Sequence, residues 1–351
     1  MQFINPKQEY LDHKDEIDEA VLNVLASGSY IGGQEVELFE KELAEYHNVK
    51  YAISCASGTD ALFLSLKALG IKEGDEVITT PFTFVATAGA IVNNGAKPVF
   101  VDINYNDFNI NVDLIEEKIT SKTKAILPVH LFGNFVNMNK IRDLANQYHF
   151  LIIEDVAQAT GTKYIDKKAG SIGKLGCLSF YPTKNLAGIG DGGAILTDDK
   201  ELDDNIRKIK NHGINNVYVS DVIGINSRLD SIQAAVLRIK LKYLDENLRK
   251  RQENAKYYCE QLGLKFFENS TYNQFTVRVQ HRDFINFDFP TKVYYPVPLH
   301  LQPAFEYLGY EIGSFPKAEK ASKEVISLPL FISREEQNQV INKIKTCLQN
   351  M

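Results

Sequence analysis

Cysteine is scarce in this chain of 351 residues, which contains four cysteines spaced far apart. None of them belongs to a CxxC pair, so the sequence indicates neither a zinc site nor a disulfide framework. We therefore predict no metal site and reduced thiols, as is usual in the cytoplasm. The four residues are Cys55, Cys177, Cys259 and Cys347.

Long apolar stretches are missing as well. The first residues, MQFINPKQEYLDHKDEI, are polar and lack the apolar core of a signal peptide. No apolar run approaches the length that is needed to cross a bilayer. These absences predict a cytoplasmic protein with no membrane partner.

Concentrated positive charge is also absent. The net charge is -6, and acidic and basic residues are mixed along the chain. Because no basic stripe could follow a phosphate backbone, nucleic acid is not an expected partner.

The size and the hydrophobic pattern predict two domains in an α/β protein. A chain with 44% hydrophobic residues and this length usually forms more than one core. From about residue 51 to Asp155, short apolar runs alternate with helical stretches, which indicates parallel βαβ units. We predict a large domain at 1–245, with an N-terminal helical segment, and a smaller C-terminal domain at 246–351. The expected elements include helices near 14–27, 34–47, 113–119, 138–148 and 228–262, and C-terminal strands at NQFTVRV and KVYYPVP.

A segment after the first strand places hydroxyl groups and glycine at the start of a helix. Ser57, Gly58, Thr59 and Asp60 follow the apolar run YAISCA. Backbone N–H groups at a helix N-terminus, with hydroxyl groups beside them, are suited to binding phosphate. The alternative is an ordinary helix cap with a turn glycine.

An aspartate ends the apolar run HFLIIED. Ligands of α/β sheets bind outside the carboxyl ends of the strands, which is where Asp155 is expected. A carboxylate there would keep a pyridine nitrogen protonated and so strengthen a cofactor ring as an electron sink. Gln158 could bond to a phenolic oxygen of the same ring. The alternative is a helix-capping aspartate followed by a solvated glutamine.

A lysine in the segment SFYPTK is a candidate for Schiff-base formation. Lys184 follows Asp155 at a distance that lets the intervening strands bring it back to the same site. Hydroxyl-bearing residues such as Ser179 precede it, and partial burial would lower its pKa and make the amine nucleophilic. The alternative is a solvated surface lysine.

Two further patterns bear on the same site. Phe84 in PFTF follows the strand DEVITT and could stack on a cofactor ring, or it could be a core residue. The glycines at 188–193 fit GxGxxG, but a dinucleotide fingerprint must open a helix, and the residues that follow form a strand pattern. We therefore reject dinucleotide binding and assign these glycines to a loop beside Lys184.

In their order along the chain, these segments resemble the nucleotide-sugar aminotransferases of the DegT/DnrJ family, which are fold-type-I enzymes dependent on pyridoxal 5′-phosphate (PLP). The resemblance covers nearly the whole chain. It is carried by blocks that include GSYIGGQEVELFEKELAEY, ASGTDAL, GDEVITTPFTFVAT, IIEDVAQATG, SFYPTKNLAGIGDGGAILT, IGINSRLDSIQAAVLRIKLKYLD and YYPVPLHLQPAF. It implies a large domain with a mainly parallel, seven-stranded sheet flanked by helices, and a smaller α+β domain.

The resemblance also implies roles for single residues. Lys184 would hold PLP as a Schiff base, Asp155 would pair with the pyridine nitrogen, and Gln158 would contact the ring oxygen. Phe84 would stack on the ring. The residues expected to hold the phosphate are Gly58, Thr59, Asp60 and Ser179.

The family's active sites lie at the interface of a homodimer, so further contacts are expected across it. Asn226 would reach the phosphate of the neighbouring subunit. Substrate contacts are expected from Tyr181, Arg228, Tyr295 and His300. We expect His300 and His212 in exposed loops, where each is either a substrate contact or a structural histidine.

The resemblance implies transamination in two half-reactions. L-glutamate would load PLP with its amino group, giving pyridoxamine phosphate (PMP), and a nucleotide-linked keto-sugar would accept that group. Lysine at 184 favours this reaction, because a few relatives with histidine there are dehydratases. The segments KNHG, GINSRLDSIQAA and YYPVPLHLQ favour C3 of a dTDP-linked 3-keto-6-deoxyhexose, which would supply surface glycans such as lipopolysaccharide O-antigen.

The sequence leaves several alternatives open. Within the family these are amination at C3 of a UDP-linked sugar, amination at C4, and dehydration. Outside it they are a non-catalytic regulator that binds PLP or a sugar nucleotide, and an NAD-dependent sugar oxidoreductase. Lys184 argues against dehydration. The set of Asp155, Gln158, Ser179 and Lys184 argues against a regulator, because mere binding requires no proton-transfer groups.

Overall fold

The computed structural model describes residues 1–216 and 218–349. The strands are β1 (Tyr51–Cys55), β2 (Glu76–Thr79), β3 (Lys97–Phe100), β4 (Thr123–Ile126), β5 (Leu151–Asp155), β6 (Lys163–Tyr164), β7 (Lys167–Lys168), β8 (Leu175–Ser179), β9 (Gly193–Thr197), β10 (Ile214–Asn216), β11 (Val219–Ser220), β12 (Phe275–Arg278) and β13 (Val325–Leu328). The helices are α1 (Pro6–Asp12), α2 (Lys14–Ser27), α3 (Gln34–His47), α4 (Gly58–Ala68), α5 (Val85–Asn93), α6 (Met138–Tyr148), α7 (Lys200–Ile209), α8 (Ser231–Leu262), α9 (Pro316–Glu324) and α10 (Arg334–Gln349).

A seven-stranded sheet in the order β1-β9-β8-β5-β4-β2-β3 forms the centre of the fold. β2 pairs in parallel with β3 and β4, β4 with β5, and β5 with β8. β9 alone within this sheet runs against its neighbours, β1 and β8. The other strands share one direction, so their carboxyl ends meet at one edge of the sheet. The predicted fold class is confirmed.

Helices cover both faces of this sheet because successive strand residues point to opposite sides. In β1, Ile53 shares a core with Leu64 of α4, whereas its neighbour Ala52 shares a core with Phe39 and Leu43 of α3. The side chains of Phe39 and Leu43 are fully buried. Truncating either one to alanine would cost about 2 to 5 kcal/mol of stability. This packing therefore stabilises the sheet that carries the site.

Most predicted helices have the expected bounds. α2 and α3 match the stretches 14–27 and 34–47, and α2 ends at Gly28, whose left-handed φ of 69° stops the helix. α8 matches the long stretch after residue 228 and ends in the same way at Gly263, with a φ of 66°. A left-handed glycine therefore ends both of these helices.

Two predicted elements are wrong. The expected helix at 113–119 consists of two 3₁₀ turns, Val112–Leu114 and Glu116–Lys118. The segment KVYYPVP forms no strand, and only Lys292 makes an isolated bridge, to Ser327. Its two prolines explain this result, because proline has no N–H group to donate to a sheet.

The C-terminal residues form a separate core around an antiparallel pair. β12 pairs with β13, and α10 packs with the end of α8 over them. The predicted division at 245/246 falls within α8, which runs without a break from the sheet into this core. The division stays a prediction. Within 1–216 and 218–349, no helix is long and apolar enough to cross a membrane.

Candidate active site

The carboxyl edge of the sheet brings the predicted cofactor residues together. Gly58 follows β1, Phe84 follows β2, Asp155 ends β5 and Ser179 ends β8. Lys184 lies in the loop between β8 and β9, which returns along the same edge. Parallel strands place their carboxyl ends side by side, which is why residues far apart in sequence meet here.

The start of α4 lies directly against the end of β8. A Cβ atom on Gly58 would stand 2.6 Å from Cβ of Ser179, so only glycine allows this approach. Ser57 caps the helix, its Oγ accepting a hydrogen bond from the Asp60 N–H at 3.1 Å. The N–H groups of Gly58 and Thr59 point out of the first turn without intrahelical acceptors. Together with the Thr59 and Ser179 hydroxyls they form a cradle suited to phosphate.

Asp60 forms a hydrogen bond to a neighbouring segment of the chain. Its Oδ2 accepts a hydrogen bond from Oγ of Ser227 at 2.6 Å. The same Ser227 Oγ accepts from the N–H of Ala56 at 3.1 Å. These bonds hold the segment 226–228 beside the cradle. Asn226 and Arg228, on either side of the buried Ser227, are exposed.

Asp155 is a buried carboxylate with fixed orientation. Its Oδ2 accepts from the Thr87 hydroxyl at 2.8 Å, and its Oδ1 accepts from the Ala157 N–H at 3.1 Å. Burial raises the pKa of Asp155, while these two bonds and the charge of Lys184 oppose the shift. A cationic ring placed against this carboxylate would therefore be strongly favoured.

Lys184 lies close enough to Asp155 for their charges to shift each other's pKa. Burial lowers the pKa of Lys184 to about 8, and the negative charge of Asp155 limits the shift. In the part of the chain that the structure describes, its Nζ makes no hydrogen bond or ion pair. Its backbone N–H donates to the carbonyl oxygen of Tyr181 at 2.9 Å, which closes the turn that presents the side chain. A half-buried amine with this pKa is a competent nucleophile near neutral pH.

Gln158 and Tyr295 form a hydrogen-bonded pair beside these groups. Gln158 accepts from the Phe132 N–H at 2.8 Å and donates through Nε2 to the Tyr295 hydroxyl at 2.9 Å. The Tyr295 ring lies 6.3 Å from the ring of Phe84, which is 55% exposed. Phe84 is therefore not a core residue, and its face is available for stacking.

One expectation about histidine is wrong. His300 is buried rather than in an exposed loop, with 2% of its surface accessible. Its Nε2 lies 3.1 Å from Oε1 of Glu319, and its ring packs edge-on against Phe315. The cause is the short 3₁₀ turn Leu299–Leu301, which folds this residue onto the large core. His212 is exposed, as are Tyr181 and Arg228.

Two residues of the site, Thr87 and Ser227, were not predicted from the sequence. Both are buried hydroxyl groups that fix a carboxylate of the site, Asp155 and Asp60 respectively. For Thr87 a signal existed, because Thr83 precedes it by one helical turn and the two hydroxyls lie 3.1 Å apart. For Ser227 no local pattern pointed to Asp60.

The arrangement fits pyridoxal phosphate. The cradle at Gly58 and Ser179 suits its phosphate group, the buried Asp155 suits its protonated ring nitrogen, and the unpaired Lys184 suits its aldehyde. These three features lie at one sheet edge, and the positions of Phe84 and Gln158 agree with contacts to the ring.

The DegT/DnrJ/EryC1/StrS aminotransferase family model matches residues 11–345. The chain belongs to this family. Solved structures of sugar aminotransferases that resemble the chain hold PLP or PMP. The predicted family, cofactor and reaction class are therefore confirmed, and the chain is a PLP-dependent sugar aminotransferase.

Three relatives show the extent of the likeness. A UDP-2-acetamido-2-deoxy-3-oxo-D-glucuronate aminotransferase of Pseudomonas aeruginosa is 42% identical over 343 residues, covering 94% of this chain and 95% of that protein. A dTDP-3-amino-3,6-dideoxy-alpha-D-galactopyranose transaminase of Aneurinibacillus thermoaerophilus is 42% identical over 357 residues, covering 97% and 98%. The structure of DesV from S. venezuelae has a TM-score of 0.95 at 38% identity, covering 98% and 97%.

Proposed function

We propose that the enzyme transfers the amino group of L-glutamate to C3 of a dTDP-linked 3-keto-6-deoxyhexose. The observation that carries transamination is that a buried carboxylate, Asp155, and a lysine of lowered pKa, Lys184, act on each other at one edge of the sheet. Position C3 and the dTDP carrier are supported by the name of the A. thermoaerophilus relative, which spans nearly the same length. The product would be a dTDP-linked 3-amino sugar.

The chain's own groups divide the work of the reaction. When bound, PLP supplies a cationic ring that stabilises negative charge on the carbon next to the reacting nitrogen. Asp155 keeps that ring protonated through its fixed carboxylate. Lys184 Nζ takes the proton from Cα of the donor and, in the second half-reaction, delivers a proton to C3 of the sugar. Its neutral form is accessible because burial lowers the pKa of Lys184 to about 8.

A homodimer with shared active sites forms part of this proposal. Asn226 and Arg228 flank Ser227 in the segment that Asp60 anchors, and both are exposed. Large apolar side chains are exposed on nearby loops, which is unusual for a surface that faces only water. They are Tyr30, Ile31, Tyr181, Ile189 and Ile223. In the dimer, Asn226 would reach the phosphate that the partner's cradle holds.

The first test is a UV–visible spectrum of the purified protein before and after L-glutamate. We expect a yellow band that is replaced by the absorbance of PMP, and a dTDP-linked 3-keto-sugar should then restore it. The variant K184A should show neither the yellow band nor turnover. If K184A formed the band and turned over, the assignment of Lys184 would be wrong.

The sugar and the position are decided in the same assay. The rates with 3-keto and 4-keto sugars, each linked to dTDP or to UDP, are compared. The carbon that carries the new amino group is then located by NMR. A UDP-linked 3-keto sugar is the second candidate, because the P. aeruginosa relative is named for such a substrate. Preference for a 4-keto sugar would contradict amination at C3.

Shared sites are tested by mixing two inactive variants. In a mixed dimer of K184A and N226A, one site carries both changes and the other carries neither. We expect K184A and N226A to be inactive alone and to regain activity when they are refolded together. Absence of recovery, with mixed dimers present, would contradict a site built from both subunits.

A further inference from the structure

Arg251, which has no role in the reaction described above, is a half-buried guanidinium. On α8, its Nη1 donates to the carbonyl oxygens of Tyr272 and Asn273, both at 3.3 Å. Its Cζ lies 4.3 Å from the ring centroid of Phe331. No carboxylate of the described residues pairs with it, and its Nε and Nη2 make no hydrogen bond to them. Burial lowers the pKa of Arg251 to about 10, so it is charged at neutral pH. The charge of Glu9 attracts this guanidinium without forming an ion pair with it, so Arg251 keeps free N–H groups that can bind an anionic ligand.

Arg251 lines a cavity that also reaches the catalytic lysine. Lys184, Asn185 and Asn247 line the same cavity, and α1 forms another wall. Asn185 is 7% exposed and donates through Nδ2 to the Thr160 carbonyl oxygen at 3.2 Å. Its Oδ1 is buried and has no hydrogen-bond partner among the described residues. The cavity therefore contains unused N–H donors of Arg251 in addition to the amine of Lys184.

Two carboxylates line this cavity, and one of them, Glu9, is paired with a lysine. Oε2 of Glu9 lies 3.1 Å from Nζ of Lys240, and this lysine is 6% exposed. Asp12 is exposed and accepts from Nε2 of Gln8 at 2.8 Å. Among the described residues, Arg251 and Lys184 form no ion pair, and the exposed Asp12 is the one carboxylate of the lining without a cationic partner, so two unpaired cations face one unpaired anion and the cavity favours an anion.

We propose that this cavity binds a carboxylate of the amino donor and that Arg251 recognises it. A guanidinium presents paired N–H groups that match the two oxygens of a carboxylate, and such bonds are stronger than those between neutral groups. The proposal rests on the aminotransferase reaction proposed above, and it assigns the donor a subsite on the α1 side of Lys184.

Binding of a non-reacting dicarboxylate tests this subsite directly. Glutarate is titrated into the PLP-loaded enzyme by calorimetry, and R251Q is compared with R251K and R249Q. Arg249 is an exposed arginine on the same helix, so R249Q is a matched control. We expect R251Q to weaken glutarate binding roughly 100-fold, R251K to weaken it less, and R249Q to leave it unchanged. Equal affinity of wild type and R251Q, or no binding to the wild type, would overturn the proposal.

The two half-reactions separate recognition from a structural role. R251Q should lower kcat/KM for glutamate roughly 100-fold and leave the reaction of the PMP form with the keto-sugar within about twofold. Equal losses in both half-reactions would mean that Arg251 merely holds the Tyr272 and Asn273 carbonyls, and would overturn the proposal. A thermal melt shows whether R251Q is folded, and R251K supplies the test if it is not. Failure of the proposed sugar substrate would appear separately, as an intact glutamate step without a sugar step.

Discussion

The hydroxyl of Thr87 lies 2.8 Å from Oδ2 of Asp155 and donates a hydrogen bond to it. Thr87 belongs to the first turn of α5, after β2, and Asp155 ends β5, so this bond joins two strand ends. Thr87 is 1% exposed and Asp155 is 4% exposed. Because water has little access, no solvent molecule readily replaces a lost donor. The bond therefore fixes the carboxylate that we propose to face the cofactor ring.

The variant T87V tests this relationship. Valine has nearly the shape of threonine but no hydroxyl donor, and removing a bond to a buried charged group costs about 1.5 to 3 kcal/mol. We expect PMP to bind at least roughly tenfold more weakly, measured by equilibrium dialysis. T87S keeps the hydroxyl and should bind PMP nearly as tightly as the wild type. Unchanged PMP affinity in T87V would show that Asp155 is held by other contacts.

The lowered pKa of Lys184 predicts the pH dependence of cofactor capture. Only the neutral amine attacks an aldehyde, and burial lowers the pKa of Lys184 to about 8. The rate at which the cofactor-free protein becomes yellow with PLP should therefore rise with pH and level off above about pH 8. Stopped-flow absorbance between about pH 6 and pH 10 measures this. A rate that keeps rising toward the ordinary lysine value of 10.5 would contradict the shift.

The cradle at the start of α4 predicts a strict requirement for glycine. In G58A the new methyl group would stand 2.6 Å from Cβ of Ser179, so α4 and β8 must separate. We expect weaker retention of PLP, by roughly tenfold or more, in a dialysis assay. Gly89 in α5 is a matched control, because a Cβ there has nothing within 4 Å. If G58A and G89A retained PLP equally, the cradle would not be the phosphate site.

The buried pair of His300 and Glu319 predicts an effect on stability rather than on substrate affinity. Glu319 also accepts from the N–H groups of Gly313 and Phe315, so its partners are all structural. H300Q should lower the free energy of unfolding by about 1 to 3 kcal/mol, measured by urea denaturation. The KM for the keto-sugar should stay within about twofold of the wild type. A raised KM with unchanged stability would restore His300 as a substrate contact.

Much of the site could be predicted from the sequence because its residues occupy ends of regular elements. The apolar run HFLIIED identified β5 and placed Asp155 at its carboxyl end. The residues after the glycines at 188–193 form β9, so the strand pattern correctly excluded a dinucleotide fingerprint. Local hydrophobic periodicity determines such features, and it is present in a single stretch of chain.

Only the tertiary structure decided which distant groups meet. The bond between Ser227 and Asp60, the pairing of His300 with Glu319, and the cavity that Arg251 shares with Lys184 each join segments far apart in sequence. No local periodicity encodes these contacts, because they depend on how the helices and loops pack on the sheet. By itself the sequence determined the parallel sheet and predicted the candidate cofactor lysine, Lys184, and the candidate carboxylate, Asp155. Packing decided which polar groups near that lysine and that carboxylate have no hydrogen-bond partner among the described residues. The reason is that burial removes the water that would otherwise form hydrogen bonds with these groups.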